Sequence, residues 1–300
     1  MAETKTSATA VTAPDGRTIL VHEAGDPTGR PLVVHHGSPS AGLCSERGHV
    51  QAVEHGIRLI GFDRAGYGGS DRNHGRSVAD VAADVAAIIE ALGVTRFVTW
   101  GSSGGGPHAL ACAALLPDRC AASICVSSLA PIDAEGLDWM AGMGTENVAE
   151  FEAALAGEEA LVAYLADAPT QLASASAEEI APSMRTVLCP ADAEVLTDEL
   201  AEDWVRVLQH GLMAGPGGWI DDDLAFLRDW GFDARAPRLG DVPVEVWHGG
   251  QDLMVPPAHG QWLAANVPGA TLSFFEDEGH VSLLEHQMPL IYDAIARYTF

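Results

Sequence analysis

Positive charge is what this 300-residue chain has least of: 16 Lys and Arg stand against 42 Asp and Glu, a formal net charge of −26. A field of that sign repels phosphate backbones and anionic bilayers, so neither a nucleic-acid partner nor a membrane surface is expected. Long apolar runs are missing too. Apolar stretches such as Ala121 to Pro131 fall short of the roughly 20 residues a bilayer core requires. Met1 to Thr9 carry Glu3 and Lys5 and lack an apolar leader core, which points to a cytoplasmic location. Cysteine is sparse: Cys44, Cys112, Cys120, Cys125 and Cys189 are odd in number and show no Cys-x-x-Cys spacing, so they read as reduced, mostly buried side chains. No metal-ligand pattern emerges, since His35 and His36 are strand neighbours on opposite faces, and no cofactor is expected. Neither a repeat nor a linker divides the chain, and nothing in it sets an oligomeric state.

What is present is a 47% hydrophobic content, sufficient for one large α/β core, and a strand-loop-helix order that recurs. Pro14-Asp15-Gly16 separates two apolar runs, Ala8 to Ala13 and Arg17 to Ala24, as a hairpin turn does. Strands follow at Leu32 to His35, Ile57 to Phe62, Phe97 to Trp100 and Ala122 to Leu129, with helices around Gly42 to Val53, Val78 to Leu92 and His108 to Leu116. Ser77 to Asp80 reads as a capping box. The pattern resumes with a helix from Trp219 to Trp230, a strand at Val244 to Trp247, a helix at Ala258 to Asn266 and a strand at Thr271 to Phe275. Pro289 to Tyr298 is expected to be a final helix with proline in its first turn. Between Pro131 and about Gly215 the strand signals give way to helical stripes, which predicts three parts: core residues 1–130, a helical cap at 131–215 and core residues 216–300. That cap holds 17 Asp and Glu against Arg185 and Arg206, read as a solvated outer face with a mouth selecting cationic substrates as the alternative.

The chemistry centres on Gly101-Ser102-Ser103-Gly104-Gly105, set between a predicted strand and a predicted helix. Only Ser103 has glycine two residues away on both sides, where any Cβ would collide as strand and helix close on each other. A serine hydroxyl needs a positioned imidazole to take its proton, and that imidazole needs a carboxylate to hold its tautomer. His280 and Asp252 are the candidates. Both lie just past predicted strand ends, 28 residues apart, in the chain order Ser, Asp, His. Asp63 and Asp71 read as loop-holding acids, Glu276, Asp277 and Glu278 as a solvated loop, and His108 and His286 as packing or surface residues.

These motifs together resemble the α/β-hydrolase family. The resemblance rests on His36-Gly37-Ser38-Pro39, Asp63 to Ser70, the Ser103 turn, His248 to Asp252 with Val255-Pro256, and Gly279-His280. It implies a mostly parallel eight-stranded sheet covered by helices, with an inserted helical cap. It also implies an oxyanion site made by the backbone N–H groups of Ser38 and Gly104, which would leave the Ser38 side chain replaceable. Serine at the turn sets the chain apart from epoxide hydrolases and haloalkane dehalogenases, which use Asp, and from dienelactone hydrolases, which use Cys. The expected activity is hydrolysis of a small-molecule carboxylic ester or lactone through an acyl-enzyme, with water as co-substrate. The alternatives are a prolyl iminopeptidase-like amidase, a cofactor-free perhydrolase or haloperoxidase-like enzyme, and a non-catalytic ligand-binding protein of the same fold. Against the amidase, those enzymes usually show His-Gly-Gly-Pro-Gly where this chain has His36-Gly37-Ser38-Pro39-Ser40. Ser102, Trp139, Met140, Met143, Trp204 and Met213 are the candidate pocket residues, with packing in the cap core the favoured reading for most of the cap members.

Overall fold

The turn at Pro14-Asp15-Gly16 does reverse the chain, and β1 (Ser7–Thr12) pairs antiparallel with β2 (Thr18–Gly25). This computed structural model describes residues 7–298 except 175, 177, 179–183 and 185. The remaining strands are β3 (Arg30–His35), β4 (Ile57–Phe62), β5 (Phe97–Ser102), β6 (Cys120–Val126), β7 (Val244–Gly249) and β8 (Thr271–Phe275). They form one eight-stranded sheet in the order β1-β2-β4-β3-β5-β6-β7-β8. β2 meets β4 antiparallel, and every pairing from β4 to β8 is parallel. Every residue of β6 and of β7 is buried, as strands covered on both faces must be.

The covering helices follow from their apolar stripes. α2 (Val81–Ala91) and α3 (Gly106–Leu115) pack Val81, Val85, Ile88 and Leu110 into one cluster with Val33 and Ile60. On the other face, α1 (Glu46–Glu54) contributes Ala52, and the C-terminal helix (His280–Arg297) contributes Leu283, Ile291 and Ile295, to a cluster with Leu32 and Val98. α1 starts later than expected, at Glu46, because Ser45 caps it: its Oγ accepts from Gly48 N at 3.0 Å.

The C-terminal helix corrects the sequence reading. It begins at His280, so Pro289 lies inside it rather than in its first turn. Proline there removes the donor that would bond the Glu285 carbonyl four residues back, and Arg47 Nη2 donates to that carbonyl instead, at 3.4 Å. The early start depends on Asp192, whose carboxylate accepts from the first amides of the helix. Between β6 and β7 the regular elements among the described residues are all helical: α4 (Thr145–Ala156), α5 (Glu158–Tyr164), α6 (Ala168–Ser174), α7 (Pro190–Val195), α8 (Asp198–Gly211) and α9 (Gly217–Phe226), then a 3-10 turn at Pro237–Asp241.

Candidate active site

β5 runs straight into a 3-10 turn, Ser103–Gly105, and then α3. To make that corner Ser103 takes φ 55°, a left-handed conformation that costs a non-glycine residue about 1–2 kcal/mol. The flanking glycines make the corner possible. A Cβ on Gly101 would lie 2.1 Å from the Gly105 carbonyl oxygen, and one on Gly105 the same distance from the His35 carbonyl oxygen. Ser103, Asp252 and His280 fall one, three and five residues past the ends of β5, β7 and β8, and parallel strands bring those ends to one edge of the sheet.

His280 Nδ1 donates to Asp252 Oδ2 at 2.8 Å, while Asp252 Oδ1 accepts from Met254 N and Val255 N at 2.9 and 2.8 Å. Burial by itself would push the Asp252 carboxyl up; the facing His280 reverses this and holds it below its usual range. Burial would likewise push His280 down, and Asp252, with Asp192 behind it, holds the imidazole above its ordinary value. The pair therefore favours a carboxylate facing an imidazole with a raised proton affinity, the electrostatics a general base requires.

Beside this pair, the loop after β3 brings Ser38 against Gly104: a Cβ on Gly104 would sit 2.6 Å from Ser38 Oγ. The Ser38 side chain is not idle. Its Oγ donates to Asp222 Oδ2 at 2.5 Å and accepts from Arg64 Nη2 at 3.0 Å. Asp222, fully buried on α9, also takes Arg64 at 2.5 Å, Arg76 at 2.7 Å, Tyr67 Oη at 2.9 Å and His108 Nε2 at 3.2 Å. Arg64 reaches back to the carbonyls of His36 and Gly37, so this buried ion cluster underlies the whole loop that presents Ser38. His108 belongs to that cluster. Asp63 holds a second junction, accepting from Gly42 N and Gly69 N at 3.0 Å each, from His22 at 3.1 Å and from His210 of α8 at 2.9 Å. The ligand atoms of His22, Asp63 and His210 lie within 4.8 Å of one another, close enough to hold one metal ion.

The family model for the alpha/beta hydrolase fold matches residues 30–287. The chain belongs to the alpha/beta hydrolase fold family. A non-heme chloroperoxidase of Streptomyces lividans is 31% identical over 289 residues, covering 95% of this chain and 98% of that protein. A proline iminopeptidase of Xylella fastidiosa is 24% identical over 299 residues, covering 88% and 90%. Among solved structures, a thermophilic esterase from Thermogutta terrifontis superposes with TM-score 0.67 at 22% identity, covering 97% of each chain, a likeness of fold.

In this alpha/beta hydrolase a cavity of about 240 Å³ opens on Ser38, Ser103 and Gly104. Its walls include Leu129, Phe151, Leu208, Trp219, Phe226 and Met254, with Asn147, Glu146, Glu150 and Asp223 as polar members. A larger cavity of about 600 Å³, lined by Pro131 to Asp133 and Arg228 to Arg235, touches none of Ser103, Asp252 and His280. The pocket expected from sequence is corrected here, because none of its six residues lines the cavity at Ser103. Trp139 is core: its Nε1 donates to the Ala130 carbonyl at 2.8 Å, and its ring packs edge-on to Phe151 and His259. Met140 and Met143 join the same cluster, Met213 is 68% exposed just past α8, and Ser102 and Trp204 are half-buried elsewhere.

The polar wall was invisible in the sequence. Asp221, Asp222 and Asp223 are three consecutive acids on α9, all buried, and each faces a different partner. Asp221 pairs with Arg72 at 2.7 Å, Asp222 with the cluster above, and Asp223 with Glu150 at the cavity wall. Burial, then the neighbouring Glu150 charge, pushes the Asp223 carboxyl well up, and burial pushes Glu150 up as well. Glu150 accepts from Trp219 Nε1 at 2.7 Å, whereas Asp223 Oδ2 has no donor among the described residues.

Proposed function

We propose that the protein is a serine hydrolase that cleaves a small carboxylic ester or lactone through an acyl-enzyme. The observation that carries the reading is Ser103 held at φ 55° beside a 240 Å³ cavity, with the hydrogen-bonded Asp252–His280 pair on the same sheet edge. His280, with Nδ1 committed to Asp252, uses Nε2 to take the Ser103 Oγ proton as that oxygen attacks the carbonyl carbon. The developing oxyanion faces the N–H groups of Ser38 and Gly104, assisted by the positive end of α3. His280 then returns the proton to the departing alcohol, and a water activated by the same imidazole releases the acid. The cavity amounts to about eight water volumes and lies below the usual range for drug-sized ligands, which suits a small substrate with an apolar acyl part.

One observation favours a second reading, amide cleavage. Two carboxyl groups, the half-buried Glu150 and the buried Asp223, meet at the cavity wall, and burial raises the proton affinity of both. Such a pair offers acceptor oxygens to a substrate amine, and one relative is named a proline iminopeptidase. Fluorophosphonate labelling together with a panel of esters, lactones and amino-acid arylamides tests both readings. Labelling at Ser103, and loss of labelling and ester turnover in Ser103→Ala, are expected; ester turnover persisting in that variant would refute the mechanism. Arylamide turnover without ester turnover would replace the first reading with the second. Adding hydrogen peroxide as a competing acyl acceptor tests the perhydrolase alternative in the same assay.

A further inference from the structure

We propose that Asp192, on α7 of the helical insertion, is a positioning residue for His280, so that the general base is in register only while the insertion is docked on the sheet. The proposal rests on the reading of His280 as general base. The first amides of any α-helix have no acceptor within the helix. In the helix that begins with His280, three of them converge on one carboxylate from elsewhere in the chain. His280 N donates to Asp192 Oδ2 at 3.1 Å, and Val281 N and Ser282 N donate to Oδ1 at 2.8 and 2.9 Å. Asp192 is fully buried, and Oδ2 also takes Cys189 N at 3.4 Å, which ties the carboxylate to the start of its own helix.

The residue before His280 is shaped for this contact. Gly279 occupies the cap position and has no side chain to offer the helix; a Cβ there would lie 2.4 Å from both Asp192 oxygens and from Cys189 Sγ. Its φ of −99° is open to any residue, so the backbone conformation does not require glycine. The incoming acid does. His280 is thereby anchored twice: Asp252 orients its ring, and Asp192 fixes the backbone from which the ring projects. A negative carboxylate at a helix N-terminus is also favoured by the helix dipole, and its charge supports the raised proton affinity of His280. Withdrawal of α7 would release three amides and let the base drift, and a displacement of about 1 Å in a reacting group costs on the order of 100-fold in rate. The insertion would thus arm the base as well as wall the cavity.

Asp192→Asn tests this, because the amide group removes the charge and replaces one accepting oxygen with a donor. In folded variant the expected result with p-nitrophenyl acetate is a kcat lower by roughly 10- to 100-fold, KM within about twofold, and an acid limb of kcat/KM displaced to lower pH. A purely structural acid would lower the melting temperature and leave the limb in place. A folded Asp192→Asn with wild-type kcat and an unmoved acid limb overturns the proposal. Should the variant not fold, hydrogen exchange on the wild type decides. Amides 280–282 must exchange no more slowly than those of 192–195, since the insertion is their protection, and protection that outlasts α7 overturns it. Ser103→Ala, run alongside, separates the two failures. An inactive Ser103→Ala beside an unimpaired Asp192→Asn removes only the positioning role, whereas an active Ser103→Ala removes the base assignment and this proposal with it.

Discussion

Asp222→Asn preserves volume and removes the one negative charge on which Ser38, Arg64, Tyr67, Arg76 and His108 converge. Arg64 and Arg76 are 2% and 5% exposed, so water does not replace the lost partner. Breaking a buried ion pair from one side costs about 3–5 kcal/mol. At ~2–4 °C per kcal/mol for a large domain, the unfolding midpoint should fall by roughly 6–20 °C. The pH dependence has a definite sign. Burial would raise the Asp222 carboxyl, but the two arginines hold it well below the ordinary 3.8. A depressed carboxyl contributes stability above its unfolded-state value and loses it as pH falls through the folded value. The gap between wild type and variant should therefore be full at pH 7 and narrow only below about pH 4. Differential scanning calorimetry at pH 7 and under acid measures it, with p-nitrophenyl acetate turnover reporting on the Ser38 loop. A midpoint within about 2 °C of wild type at pH 7 would refute the claim that this cluster holds the loop.

Asp252→Asn should leave the fold intact and cut turnover by several orders of magnitude, on the order of 10⁴ in the serine-protease precedent; near-wild-type activity would assign the acid elsewhere. Because His280 must be neutral to act and its affinity is raised, the acid limb of kcat/KM should fall above pH 6.5, and a limb below that value would contradict the Asp252 contact. Ser38→Ala keeps the backbone N–H but deprives Asp222 of a charge-assisted hydrogen bond, so stability should drop by about 1.5–3 kcal/mol in urea titration. Gly101→Ala should yield no folded enzyme by circular dichroism, since its Cβ would meet a backbone oxygen at 2.1 Å.

The sheet was legible because its strands carry their own signal. Ile57–Phe62 and Thr271–Phe275 match the expected bounds, and the Ser103 turn announced itself through glycines whose spacing is a steric requirement. The start of the C-terminal helix was not legible, because its acceptors come from Asp192, 88 residues away in sequence. The cavity walls were missed for a related reason. Trp139 and Met143 fit either a lining or a core role by type and pack into the core, while Asp223 looks solvent-facing and is buried at the cavity wall. Three adjacent acids on a helix carry no local mark of their partners; only the arrival of Arg64, Arg72, Arg76 and Glu150 from distant segments reveals their roles. Ser38 likewise was read for its backbone alone, and its hydroxyl proved to have a partner on α9.

The sheet leaves at β6 and resumes at β7, and these two strands are direct parallel neighbours, with Ser123 beside Val244 and Val126 beside Trp247. The 117 residues between Val126 and Val244 therefore form an excursion whose two ends are already stitched together. Loop-closure entropy grows only with the logarithm of length, so replacing that excursion with one of about 20 residues would change the closure term by only roughly 1.6 kcal/mol. The segment is in this sense a cassette, exchangeable among enzymes of this architecture at small topological cost. Its exchange is constrained by its docking contacts rather than by its length: the carboxylate of Asp192 in the first turn of the C-terminal helix, the imidazole of His210 on Asp63, and Asp221 and Asp222 on Arg72, Arg64 and Arg76. A donor segment that carries these contacts should seat on this sheet, and one that lacks them should close the chain and leave the enzyme idle.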